Sequence, residues 1–165
     1  MFMPKTKDIK AIILICHGFG YHSSGFLSRL AISFAQLGYA VVMLDYYGHG
    51  RSDGLHALVS SVDDIANDLL DHLDNVITSS SELLKNKKIF VYGESLGGAV
   101  AFKICTNTSN SKYSIQGVIL QSPMIKISDK LKPPEFVVRL FKLIRGIIPY
   151  APIGNILDTF KLIYC

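Results

Sequence analysis

No histidine follows His72 in this 165-residue chain, and only Asp129, Glu135 and Asp158 supply carboxylates after Ser95. Long apolar runs are also missing. Stretches such as 11–16 and 40–44 fall far short of the ~20 residues that a bilayer-spanning helix needs. The charged opening segment runs into a short apolar stretch and then His17-Gly18, with no small-residue cleavage site. A signal peptide is therefore not expected. Cysteine is scarce, with Cys16, Cys105 and Cys165 at unrelated spacings. That excludes a disulfide framework and a zinc pattern while leaving one bridge or a thiol role open, and it favours a reducing, cytoplasmic setting.

What is present is a foldable chain. Hydrophobic residues make up 49% and mean hydropathy is +0.32, which excludes disorder. The length allows one domain with a sizeable core. The net charge of +4 is unevenly spread: residues 1–83 carry five Lys/Arg against nine Asp/Glu, and residues 84–165 carry twelve against four. A basic half alone is a weak sign of nucleic-acid binding, and no nucleic-acid fold signature accompanies it, so that partner class is set aside.

Ala11–Cys16 is wholly apolar, as strands buried on both faces of a parallel sheet are. Phe26 to Leu37 repeats apolar residues at three and four, with Gly38 placed to cap a helix. A second buried strand covers Tyr39–Leu44 and ends in the turn-rich stretch Tyr47–Gly54, where Asp45 and Asp53 read as turn residues. Ser60 and Ser61 precede Asp63 and Asp64 like a capping box, opening a helix that buries Val62, Ile65, Ala66, Leu69, Leu70, Leu73, Val76 and Ile77. A strand at Lys88–Tyr92, a helix at Leu96–Cys105 and a strand at Gln116–Gln121 follow. Alternating strands and helices require crossovers and predict a mostly parallel α/β sheet with flanking helices. The pattern breaks after Pro123, giving a core over 1–125 and a second region over 126–165.

Gly93-Glu94-Ser95-Leu96-Gly97 matches Gly-x-Ser-x-Gly. Chance yields one such match in roughly twenty chains of this length, so context must decide. Here the motif joins a buried strand to a helix of small residues, as a nucleophile elbow requires. A serine on that sharp turn stands exposed at a helix N-terminus, where the dipole favours developing negative charge. Acyl transfer also needs two backbone N–H donors for its oxyanion. The N–H of Leu96 and that of Phe19, in the loop His17-Gly18-Phe19-Gly20, fill those roles.

Together these blocks carry a resemblance. His17-Gly18-Phe19-Gly20-Tyr21-His22-Ser23-Ser24, Asp45 to Gly54, Gly93 to Ala99 and Ser122 to Asp129 resemble successive segments of the monoacylglycerol lipase family, also classed with serine aminopeptidase S33-type hydrolases. Lys132-Pro133-Pro134 is similar to the caffeoylshikimate esterase branch. The resemblance covers about residues 10–150 and implies an α/β-hydrolase fold with a helical cap over the site. It implies a small-molecule acyl ester substrate, such as a monoacylglycerol or lysophospholipid, and neither cofactor nor metal. Ser95 takes the nucleophile position, and Phe19 and Leu96 the oxyanion positions.

This fold supplies its triad in the order serine, acid, histidine. All five histidines (His17, His22, His49, His56, His72) precede Ser95, so neither the triad Asp nor the triad His is expected within this chain. His17 and His49 read as braces for their loops. The C-terminal strands are expected to be missing, leaving one sheet edge bare. Two readings stay open: an ester hydrolase seen through an incomplete chain, and a non-catalytic remnant. The segment from about 135 to 148 is an apolar helix with Arg139, Lys142 and Arg145 along one stripe. It fits either peripheral membrane contact or a core-packed helix with one solvated edge.

Overall fold

The computed structural model describes residues 1–5, 8–59, 61–106, 112–126, 134–136 and 139. The chain divides into two compact units, Met1–Lys126 and Ile127–Cys165.

In the first unit the elements run β1 (Ile12–Cys16), α1 (Phe26–Gln36), β2 (Ala40–Met43), α2 (Val62–Ser79), β3 (Ile89–Glu94), α3 (Leu96–Thr106) and β4 (Ile115–Gln121). The four strands form one sheet in the order β2-β1-β3-β4, and every pairing is parallel. The unbroken apolarity of β1 has a direct cause. Successive side chains alternate faces, and both faces are covered. Ile12, Leu14 and Cys16 pack with α2 and α3 residues such as Leu69, Leu73, Val100 and Ile104. Ile13 and Ile15 pack on the other face with Leu27 and Ala31 of α1.

Helix ends follow their local chemistry. Ser61 caps α2, its hydroxyl accepting from the Asp63 and Asp64 N–H groups at 3.0 and 3.4 Å, with both carboxylates in the first turn where the dipole favours them. Along α2, Ile65, Ala66, Leu69, Leu73 and Ile77 are buried, whereas Val62, Leu70 and Val76, expected inside, are only half-buried at the flanks of the apolar stripe. Beyond α1, Gly38 takes φ 93, a left-handed conformation that glycine adopts without steric cost, and its N–H reaches the Ala35 carbonyl at 3.0 Å.

The two sheet edges differ. Phe2 bridges to Val41 with N–H···O distances of 2.8 Å in both directions, covering the β2 edge. At the opposite edge, among the described residues, β4 pairs only with β3, and Val118 and Ile119 are 39% and 52% exposed. In the second unit Arg139 meets Glu135 at 3.8 Å. The remainder of the basic helix expected over 135–148 lies outside the described residues, as do Lys132 and Pro133.

Candidate active site

Ser95 sits between β3 and α3 with φ +53. A non-glycine residue in that region carries a strain of roughly 1–3 kcal/mol, which the surroundings must hold in place. They do so through its backbone. The Ser95 N–H donates to the Gln121 carbonyl at 3.1 Å, at the end of β4. Its carbonyl accepts from Gly98 at 2.9 Å, Ala99 at 3.4 Å and Met124 at 2.8 Å. Both α3 and the loop after β4 therefore clamp the turn.

The motif glycines are steric necessities. A Cβ on Gly93 would lie 2.2 Å from the Gly97 carbonyl oxygen. One on Gly97 would lie 2.1 Å from the Cys16 carbonyl oxygen and 2.6 Å from that of His17. A Cβ on Gly98 would lie 2.6 Å from Pro123 Cβ. Helix α3 can thus approach the end of β1 because Gly97 in its first turn carries no side chain.

The loop carrying Phe19 passes beside Ser95, since a Cβ on Gly18 would stand 3.4 Å from Ser95 Cβ. Leu96 opens α3, so its N–H belongs to the helix's first turn, where backbone donors have no partner inside the helix. The structure therefore brings the Phe19 loop, Leu96 and Ser95 to one place.

His17 lies beneath this loop, 1% exposed. Its Nδ1–H donates to the Gly18 carbonyl at 2.8 Å, and its Nε2 accepts from the Tyr46 N–H at 3.2 Å. Tyr46 stacks on the ring at 3.6 Å between centroids and returns its hydroxyl to the His17 carbonyl at 2.9 Å. Burial holds the imidazole down at about 4, against 6.5 ordinarily, so it is neutral. With both nitrogens engaged it braces the loop and has no lone pair for Ser95. His49 Nδ1–H donates to the Tyr47 carbonyl at 3.1 Å, and its ring meets the Phe19 ring edge-on at 5.9 Å.

Asp45 does more than the turn role read from the sequence. It accepts from the Ser23 N–H at 2.6 Å and the Arg51 N–H at 2.9 Å, tying the loop after β1 to the loop after β2. Burial pushes its carboxyl up, but these hydrogen bonds outweigh that and hold it below the ordinary value. Gly50, at φ +56, leaves room for it; a Cβ there would lie 2.1 Å from Asp45 Oδ2. The available signal was position: Asp45 follows a parallel strand at its carboxyl end, where loops of such sheets gather around sites. Gln121 and Pro123, which support the elbow through a carbonyl and a ring, left no comparable mark. Among the described residues no three or more His, Cys, Asp or Glu side chains converge as a metal site would need. Nor is any described helix long and apolar enough to cross a membrane.

Comparison with known proteins fits this geometry. The family model "Serine aminopeptidase, S33" matches residues 7–162. Caffeoylshikimate esterase of Arabidopsis thaliana is 28% identical over 146 residues, 88% of this chain and 43% of the relative. Monoglyceride lipase of Homo sapiens is 31% identical over 155 residues, 94% of this chain and 48% of the relative. Among solved structures, Paleococcus ferrophilus monoacylglycerol lipase superposes with a TM-score of 0.61 at 28% identity, covering 90% of this chain and 50% of the other. The chain spans about half the length of the curated relatives it matches. It belongs to the serine aminopeptidase S33 family of α/β-hydrolases.

Proposed function

From that membership we propose that the protein is a serine ester hydrolase that cleaves acyl esters of the monoacylglycerol or lysophospholipid kind through an acyl-enzyme. The observation carrying this reading is the strained, doubly clamped Ser95 at φ +53, set at a helix N-terminus beside the Gly18-Phe19 loop. In this reading Ser95 Oγ attacks the ester carbonyl carbon and gives up its proton to a base. The Phe19 and Leu96 N–H groups hold the oxyanion of the tetrahedral intermediate. Collapse expels the alcohol, which takes the proton, and leaves the acyl group on Ser95. Water then releases the acid.

An apolar substrate suits the segments that follow the carboxyl ends of the parallel strands, the end at which Ser95 stands. Phe19, Tyr21 and Phe26 after β1, Tyr47, Leu55 and Leu58 after β2, and Met124 and Ile125 after β4 are all exposed large hydrophobics. Their aromatic share also supports a second reading, a phenolic ester, in keeping with the caffeoylshikimate esterase relative. Residues 1–125 act as the catalytic core and 126–165 begin a cap, with the basic, apolar sequence of about 135–148 touching membrane lipid from a cytoplasmic side. No cofactor or metal enters this reading.

The test is covalent. A fluorophosphonate probe applied to the full-length protein should label Ser95 and lose its signal in Ser95→Ala. An adduct on any other serine, or labelling that survives the substitution, overturns the assignment.

A further inference from the structure

A cavity lies at the end of the sheet opposite Ser95. It has a volume of about 660 Å³, within the range of small-molecule sites, and opens where β3 and β4 begin. Lys85, Lys87, Lys88 and Lys112 line it together with donors that include Thr78 and Ser114, and no carboxylate is among its described lining. Lys85 is held by Glu82 at 2.5 Å and Lys112 by Asp74 at 2.6 Å, both carboxylates standing outside the lining. Among the described residues no ion pair engages Lys87 or Lys88. Four of the twelve Lys/Arg of residues 84–165 thus line one concavity, and two of the four have no ion-pair partner among the described residues.

Such a lining matches an anion of high charge density. Like charges converging on a hollow repel each other, and only a multivalent anion relieves several of them at once while accepting from neighbouring hydroxyls. The cavity is not the ester site. Lys88 precedes β3 and Ser95 follows it, and a strand of that length spans ~20 Å.

We infer that this lysine-lined cavity binds a compact ligand carrying two or more phosphate groups, either free in solution or as a lipid headgroup. The inference stands apart from the ester-hydrolase reading, and its test needs no turnover.

Thermal unfolding of the 165-residue chain is followed at fixed ionic strength while sodium tripolyphosphate is added, with chloride as control, so that screening is constant. A ligand bound only by the folded chain raises Tm saturably, the effect growing as ligand exceeds Kd up to about 10 mM. Lys87→Gln/Lys88→Gln should melt like the parent chain without ligand and bind about tenfold or more weakly, as lost charged hydrogen bonds require. Phosphorus NMR line broadening of the same ligand gives a second readout independent of the melt. No saturable response in the parent, or an equal response in the double variant, overturns the inference. Sedimentation with vesicles containing a polyphosphorylated lipid then assigns the source. Loss of sedimentation in the double variant places the phosphates on lipid; sedimentation unaffected by it, with tripolyphosphate binding still lost, places them on a soluble ligand.

Discussion

Protonation of His17 should cost the fold a measurable and calculable amount. The ring is buried and neutral, with a folded pKa of about 4 against 6.5 for the free side chain. Burial dominates this depression, with His49 and His22 adding repulsion, while the hydrogen bond to Gly18 and the charge of Asp45 oppose it. The sign follows from linkage. Above the unfolded pKa both states are neutral and the full stability is present. As pH falls from there towards about 4, the unfolded chain takes up a proton that the folded one refuses, and stability is lost. At pH 5 the loss works out at about 2 kcal/mol, approaching about 3 kcal/mol as pH nears 4. Such a loss is a large share of the ~5–15 kcal/mol typical of a domain.

The perturbation is His17→Asn, read by urea unfolding of parent and variant at pH 7 and pH 5. The variant starts less stable because it loses the stacking on Tyr46. Its decline between the two pH values should nevertheless be smaller than the parent's by about 2 kcal/mol. His72, also depressed chiefly by burial, is common to both proteins and cancels in the comparison. Asp45 acts only at lower pH: its stabilisation is present above the ordinary carboxylate range and lost as pH falls through its lowered value. Parallel pH profiles for the two chains, agreeing within about 0.5 kcal/mol, would refute the claim that the buried ring excludes its proton.

Other outcomes follow from the same geometry. Gly97→Ala should lower the urea midpoint, because overpacking against the Cys16 carbonyl at 2.1 Å costs about 1–3 kcal/mol or more, against about 1 kcal/mol gained in helix propensity. An unchanged midpoint would show that α3 can shift freely. The 165-residue chain by itself should hydrolyse p-nitrophenyl esters poorly, since no histidine follows Ser95 and His17 is fully hydrogen-bonded. Turnover within about tenfold of a full-length relative would contradict it. Replacing Arg139, Lys142 and Arg145 with Gln should weaken sedimentation with anionic vesicles by about 1 kcal/mol per cation. Undiminished binding would leave that helix a packing element.

The sheet was legible because its signals are local. A run such as Ile12–Cys16, buried at every position, has no polar face to offer solvent, so composition alone points to a strand covered on both sides. The elbow was legible because steric demand limits what can occupy positions 93 and 97. Contacts made across the sequence were not. Asp45 reaches Ser23 and Arg51 from the end of β2, and nothing in its immediate neighbours separates a turn aspartate from one that joins two loops. The Gln121 and Met124 groups that hold Ser95 act through backbone atoms, and a backbone contact leaves no residue-type signature. His17 was identified as a brace from the order of the triad alone, while its neutral tautomer needed the position of Tyr46.

On the proposed reading, these supports separate the positioning of Ser95 from its activation. The strain at Ser95 is held by the sheet, by α3 and by the loop after β4, all within Met1–Lys126. None of the four backbone hydrogen bonds at Ser95 involves a histidine or a carboxylate. The oxyanion donors proposed at Phe19 and Leu96 are likewise main-chain groups on loops fixed by His17, Tyr46 and glycine packing. Preorganised donors of this kind retain part of their effect when the base is removed, which is why enzymes lacking a triad member still exceed water by large factors. A serine in this setting should therefore keep its geometry while its nucleophilicity depends on a base delivered from elsewhere.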